Sequence, residues 1–295
     1  MPSVGLLRKN KSALQRVFRP LLHALWACAL GASTSVAMAD NVRLGGTGSA
    51  LGTMRLLADA YAKIDPQFNL VIVPNLGSSG GIKALSQDKI HLAVTGRGLK
   101  PDEVKAGLTA YTYGKTPFVL ATSNKNPESL TLDQIANIYA NKQTKWADGS
   151  QVRLVLRPAH DGDTELLAGI SPGIKAGVEL AMAKEGMVVA NTDQESADVL
   201  EKLAGSFGFT SLSIILTEKR ALSVVPINGV VPSVDSLKSG SYPYGKNMAF
   251  VVKGVPSESI ARFLAFVRSE AGTRVLVASG HWVSTATAAL PNSKN

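Results

Sequence analysis

Asn75-Leu76-Gly77-Ser78-Ser79-Gly80-Gly81-Ile82 joins an apolar strand pattern, Phe68 to Val73, to a helical pattern that begins near Gly80. A junction of this kind is suited to an anion: glycines let the backbone come close, hydroxyls donate hydrogen bonds, and the unpaired N–H groups of a helix start carry partial positive charge. The same chemistry occurs just upstream. Gly45-Gly46-Thr47-Gly48-Ser49 follows a short strand, Asn41 to Leu44, and leads into Leu51 to Lys63, where Leu51, Met54, Leu57, Ala58 and Tyr61 recur at helical spacing. Two consecutive strand, glycine-hydroxyl loop and helix units suggest one shared ligand site.

Outward from these units the pattern remains α/β. Lys89 to Thr95 reads as a third strand, Pro101 to Gly107 as a short helix, and Thr116 to Thr122 as a fourth strand. Thr131 to Ala140 reads as a helix with Thr131 as its N-cap, and Val152 to Leu156 as a strand that ends in Arg157-Pro158-Ala159-His160-Asp161-Gly162-Asp163-Thr164. Helices are expected at Glu165 to Ala168, Ile174 to Lys184, Gln194 to Leu203, Ser257 to Ser269 and Gly272 to Ser279. Short strands are expected at Met187 to Ala190, Phe207 to Thr210, Ala221 to Pro226 and Met248 to Val252. Alternating strands and helices imply mostly parallel sheets, and the length favours two lobes. The candidate donors Thr47 and Ser49, Ser78 and Ser79, Thr95 with Arg97, and Arg157 with Thr164 all sit at the C-terminal ends of expected strands, where open α/β sheets bind ligands.

Residues 1–39 hold five basic side chains, Arg8, Lys9, Lys11, Arg16 and Arg19, and no acidic one; an apolar stretch, Leu21 to Ala39, follows them. This is the pattern of a secretory signal peptide with an A-x-A site at Ala37-Met38-Ala39, so the mature chain is expected to begin at Asp40 in a periplasmic compartment. Leu25-Trp26-Ala27-Cys28 loosely resembles a lipid-attachment site as the competing reading. The full chain has a net charge of +9; taking the five leader bases from 31 leaves 26 against 22 acidic residues, a net of +4, which gives little support for a nucleic-acid partner. Cleavage also removes Cys28, the one cysteine, and with it any disulfide, thiol nucleophile or cysteine metal ligand.

Other chemistries fit less well. Gly46-Thr47-Gly48-Ser49-Ala50-Leu51-Gly52 has its third glycine one residue late for a dinucleotide fingerprint, and the next strand ends in Pro74-Asn75 where an acidic residue is needed. Gly114-Lys115-Thr116 lacks the leading glycine of a P-loop. His23, His91, His160 and His281 have no metal spacing, and His91 reads as structural. Neither a cofactor nor a metal is expected. Gly77-Ser78-Ser79-Gly80-Gly81 does satisfy G-x-S-x-G, and Asp161 or Asp163 followed by His281 gives the chain order of an α/β-hydrolase triad. Against this serine hydrolase reading, only one strand precedes the unit and no oxyanion loop is present. The plainest alternative makes these loops ordinary turns.

The run of motifs resembles one family: Gly46-Thr47-Gly48-Ser49 after strand one, Gly77-Ser78-Ser79-Gly80-Gly81-Ile82 after strand two, Ala93-Val94-Thr95-Gly96-Arg97 after strand three, Asn126-Pro127 followed by Leu130-Thr131-Leu132-Asp133-Gln134-Ile135, the Arg157 loop and Tyr242-Pro243-Tyr244. Together they resemble the phosphate-transport substrate-binding proteins, which are type II periplasmic binding proteins. The resemblance implies two mostly parallel α/β lobes around a ligand cleft, lobe 1 from residues 40–120 plus 246–295 and lobe 2 from 121–245, with crossings near 118–122 and 245–249. It also implies a small oxyanion ligand, phosphate first, delivery to an ABC permease, a monomer and no catalysis. Ligand contacts are expected from Thr47, Gly48, Ser49, Ser78, Ser79, Thr95, Arg97, Arg157, Asp161, Gly162, Asp163 and Thr164. Two departures stand out. Gly96 replaces an aspartate found in some phosphate binders, and Asp161-Gly162-Asp163 stands where the family commonly has Ser-Gly-Thr. A carboxylate facing a dianion in a dry cleft is strongly unfavourable, so either these aspartates cap the following helix or the ligand is a non-phosphate metabolite.

Overall fold

The computed structural model describes residues 1–3 and 40–284; the expected leader, its cleavage site and the tail Thr285 to Asn295 lie outside them. The chain opens with β1 (Asp40–Gly46), α1 (Gly48–Tyr61), β2 (Phe68–Val73) and α2 (Gly77–Ser86), followed by β3 (Leu92–Thr95), α3 (Pro101–Lys105) and the long β4 (Leu108–Thr122). Then come α4 (Leu132–Tyr139), β5 (Arg153–Leu156), α5 (Gly162–Ala168), α6 (Pro172–Ala183), β6 (Val188–Val189), α7 (Asp193–Lys202), β7 (Ser206–Ser211) and α8 (Leu212–Thr217). The chain continues through β8 (Ser223–Val224), α9 (Val234–Ser239), β9 (Gly245–Lys253), α10 (Glu258–Arg268) and α11 (Glu270–Ala278).

The strands follow the order β2-β1-β3-β9-β4-β7-β5-β6, with β8 paired to β4. Both flanks are parallel, β2-β1-β3 on one side and β7-β5-β6 on the other, as short βα units require. The middle is antiparallel: β9 lies between β3 and β4, and β4 passes from β9 to β7 at Pro117 and Phe118. The sequence reading found only the second half of β4. The first half alternates Thr109, Tyr111 and Lys115 with other residues too evenly polar to look like a core strand, and it becomes one by pairing with β9 along its length.

Two main cores flank this spine. The first packs α1, β1, β9, α10 and α11 around Leu44, Met54, Leu57, Phe250 and Phe263, and includes an aromatic group in which Phe68 stacks on Phe263 at 4.9 Å and meets Tyr61 edge-on at 5.0 Å. The second packs α4, α6 and β7 around Ile135, Ile138, Tyr139, Leu156, Ile174 and Phe207. β4 contributes Tyr113 to the first core and Phe118 and Leu120 to the second. Thr131 caps α4 as expected: its hydroxyl accepts from the Gln134 amide at 3.2 Å, and the Gln134 carboxamide accepts from the Thr131 amide at 2.9 Å, a reciprocal box that satisfies two otherwise unpaired donors. His91 is structural, its Nδ1 accepting from the Arg43 amide at 3.0 Å. Among the described residues no helix is long and apolar enough to cross a membrane.

Candidate functional site

A cleft of about 620 Å3 opens where the loops after β1, β2, β3 and β5 meet the start of α7 and of β9. Thr47, Gly48, Ser78, Ser79, Arg97, Arg157, Asp161, Gly162 and Asp163 all line it. Three other expected contacts do not. Ser49 is buried behind the wall, its backbone amide and hydroxyl both engaged. The Thr95 hydroxyl closes its own turn, donating to the Arg97 carbonyl at 3.0 Å, and the Thr164 hydroxyl faces the Arg157 carbonyl at 3.4 Å.

Arg97 and Arg157 differ in what remains available to a ligand. Arg97 is held in a two-pronged pair with Glu103, at 2.7 and 2.9 Å, and also donates to the Ser79 hydroxyl at 3.1 Å. This fork holds Glu103 below the usual carboxylate range and spends the charge of Arg97 locally. Arg157 is 5% exposed. Its Nη2 donates to Asp161 at 2.6 Å, while Nε and Nη1 are buried with no protein partner. Buried donors on a cation are costly when unpaired, so Nε and Nη1 would gain from an acceptor brought within reach.

The two aspartates of the Arg157 loop divide the roles anticipated for them. Asp161 is the N-cap of α5, accepting from the Asp163 amide at 2.9 Å, and pairs with Arg157 as well. Asp163 is no cap. It is buried against Lys246, whose Nζ lies 2.6 and 2.8 Å from its two oxygens and donates to the Ser49 hydroxyl at 2.9 Å. Burial pushes Asp163 up to about 6, an effect that Lys246 offsets only in part. For Lys246, burial disfavours the charge, but Asp163 and Asp193 outweigh it and raise the ammonium above an ordinary lysine.

Asp193 and Lys246 escaped the sequence reading. The Asp193 Oδ2 accepts from the Ser49 amide at 3.0 Å and from the Thr47 hydroxyl at 3.4 Å, and its Oδ1 lies 3.8 Å from Arg157 Nη2. Burial works against its charge, yet Lys246, Arg157 and the Ser49 amide outweigh burial and hold it below the usual carboxylate range. Lys246 also occupies the space beside Gly96, where a Cβ would stand 2.9 Å from its Cε. Gly96 thus makes room for a lysine, and the residues that neutralise it arrive from α5 and α7. One signal was available: the two aspartates of the Arg157 loop require counter-charges, and Lys246 lies at the start of a strand whose middle, Met248 to Val252, is apolar.

The hydrolase arrangement is not assembled. His281 is fully buried away from the cleft wall, its Nδ1 3.3 Å from the Leu276 carbonyl and its ring 5.6 Å from that of Tyr113, and burial pushes it down to about 4. Ser79 has Arg97 as its neighbour instead of a base. Among the described residues no group of His, Cys, Asp and Glu is placed to hold a metal ion.

Comparison with known proteins agrees with this architecture. Residues 31–271 match the PBP superfamily domain. The phosphate-binding protein PstS of Borreliella burgdorferi is 21% identical over 217 residues, 69% of this chain and 76% of that protein. PstS 2 of Streptococcus pneumoniae is 29% identical over 114 residues, 38% of each chain. Among solved structures, a putative phosphate ABC transporter substrate-binding protein with bound phosphate from Clostridium perfringens superposes with a TM-score of 0.70 at 22% identity, covering 83% of this chain and all (100%) of that one. The periplasmic molybdate-binding protein of Azotobacter vinelandii gives 0.58 at 16% identity, over 82% of this chain and 99% of that one. The fold is that of the type II periplasmic binding proteins, and the chain belongs to the PBP superfamily.

Proposed function

We propose that this protein is a solute-binding protein that captures phosphate or a related oxyanion in the cleft and hands it to an ABC permease. The observation that carries the reading is Arg157, a buried guanidinium in the cleft wall whose Nε and Nη1 have no protein partner. The same cleft wall holds the glycine-hydroxyl starts of α1 and α2. The names of the relatives, phosphate-binding in each curated case, support the same ligand class. In this reading residues 40–120 with 246–295 form one lobe and 121–245 the other, the lobes close on the solute, and the chain acts as a periplasmic monomer released from a leader ending at Ala39. No chemistry is performed, since Ser79 has no base.

A second reading, a solute other than phosphate, is favoured by one feature: Asp161, Asp163 and Asp193 bring three carboxylates into the same cleft as Arg157 and Lys246. Thermal-shift and calorimetric titration of the purified protein with phosphate, sulfate, molybdate and a panel of small metabolites separates the two. A solute at one hundred times its Kd stabilises the fold by about 2.7 kcal/mol. The expected outcome is a shift with at least one tetrahedral oxyanion that Arg157→Met abolishes. A response only to neutral or cationic metabolites would sink the oxyanion assignment.

A further inference from the structure

Helix α1 starts without help from its own sequence. Its N-cap, Thr47, makes no side-chain cap bond, and no acidic residue lies in its first turn. Of the four amides such a start leaves unpaired, the one on Ser49 is taken by Asp193, 144 positions away in sequence. Asp193 is not the cap of its own helix: α7 is capped by Thr192, whose hydroxyl accepts from the Glu195 amide at 3.1 Å. Its carboxylate instead receives a helix-start amide and the Thr47 hydroxyl, and faces a buried guanidinium. That is the set of partners a bound oxyanion would take.

The fit is built from both sides. Gln194, the next residue, donates to the Gly48 carbonyl at 3.0 Å, so two successive side chains dock the start of α7 on the start of α1. Gly48 permits this approach. A Cβ there would stand 2.6 Å from the Asp193 Cβ, 2.7 Å from its Oδ2 and 2.4 Å from the Gln194 Oε1. The carboxylate is 10% exposed and held in its charged form by Lys246, Arg157 and the Ser49 amide.

We propose that Asp193 is an internal ligand of the cleft: its carboxylate occupies the anion seat at the start of α1, and a solute anion binds by displacing it. The inference rests on reading the cleft as an anion site and identifies the residue that sets its affinity and selectivity. An incoming anion must offer the Ser49 amide, the Thr47 hydroxyl and Arg157 more than the tethered carboxylate does. A dianion gains most from Arg157 and loses most from a carboxylate left nearby, so displacement and charge discrimination are one event.

The test uses the purified protein, inorganic phosphate as the probe, and three variants, Asp193→Ala, Asp193→Asn and Gly48→Ala. The last keeps the charge but blocks the approach of α7. Circular dichroism identifies which variants fold, and the Asn variant, which preserves the side chain's shape, remains informative if the Ala variant does not. Phosphate is expected to bind Asp193→Ala and Asp193→Asn at least tenfold more tightly than wild type. In the absence of any solute, the Ser49 amide is expected to exchange its hydrogen at least tenfold faster in Asp193→Ala and Gly48→Ala. Equal or weaker phosphate binding by both folded Asp193 variants, where wild type binds, overturns the proposal, as does an unchanged Ser49 exchange rate. If no chain binds phosphate but Ser49 exchange still accelerates, the internal ligand stands and the phosphate assignment falls.

Discussion

Lys246 is 3% exposed and keeps its charge because the carboxylates of Asp163, in contact with it, and of Asp193 outweigh its burial. Removing one member of such a buried group leaves the others uncompensated, at a cost of about 3–5 kcal/mol. Lys246→Met is therefore expected to destabilise the protein by about that much at pH 7.5. The sign of its pH dependence follows from Asp163. That group sits at about 6 in the folded protein, above its ordinary value of 3.8, so between those values the folded state holds more protons than the unfolded state and stability falls as pH rises. Without the lysine the folded value moves higher still, so the variant should regain stability as pH falls from 7.5 to 5. Denaturant titrations at both pH values check this, and an equal deficit at both would rule out Asp163 as the source. At this scale the sequence was only half legible. Arg157, Asp161 and the two glycine-hydroxyl loops were readable because each sits in a local motif. Lys246 and Asp193 bond partners 197, 83 and 144 positions away, and locally one looks like a strand residue and the other like a first-turn acid.

Among the elements, α2 depends on a close backbone approach. A Cβ on Gly81 would stand 2.6 Å from the Gly46 Cα and 3.0 Å from the Gly45 carbonyl, so the helix lies directly on the end of β1. Gly46 has a φ of +147°, and a Cβ there would meet the Val94 carbonyl at 1.9 Å. Gly81→Ala should push α2 outward, carrying Ser78 and Ser79 with it, and cost about 1–3 kcal/mol as an overpacked contact. Thermal unfolding measures the loss, and a variant as stable as wild type would show that α2 does not need this contact. The same glycines made the first two βα units readable from sequence, because close approach leaves a compositional trace. α8 and α9 left none. α8 is a six-residue helix whose Ile214 and Ile215 favour strands, and it is held by the Ser211 cap at 3.4 Å and the bond from the Ser213 hydroxyl to the Ser49 carbonyl at 2.8 Å. α9 is equally short and rests on a box between Ser233 and Ser236.

Across the whole molecule β4 joins the two main cores within the sheet, with the Tyr242 hydroxyl donating to the Phe118 carbonyl at 2.8 Å where β4 changes partners. Alternation of strands and helices made the class legible. The antiparallel spine was not, since nothing local tells a strand that its neighbour arrives more than a hundred residues later. The position of β9 has a further consequence, for the order in which the chain acquires structure. β3 and β4 are both in place by residue 122, but the strand that separates and joins them begins at Gly245. Closing so long a loop is slow, and the contacts that reward it come last. A chain ending at residue 244 is expected to be cut rapidly by protease within residues 40–113, whereas the full chain resists there; equal resistance would show that the first core forms without β9. The first core of a growing chain is therefore expected to stay open until synthesis is nearly finished, which keeps that half of the chain extended, the state in which a polypeptide bearing an export leader of the proposed kind must be threaded through a membrane.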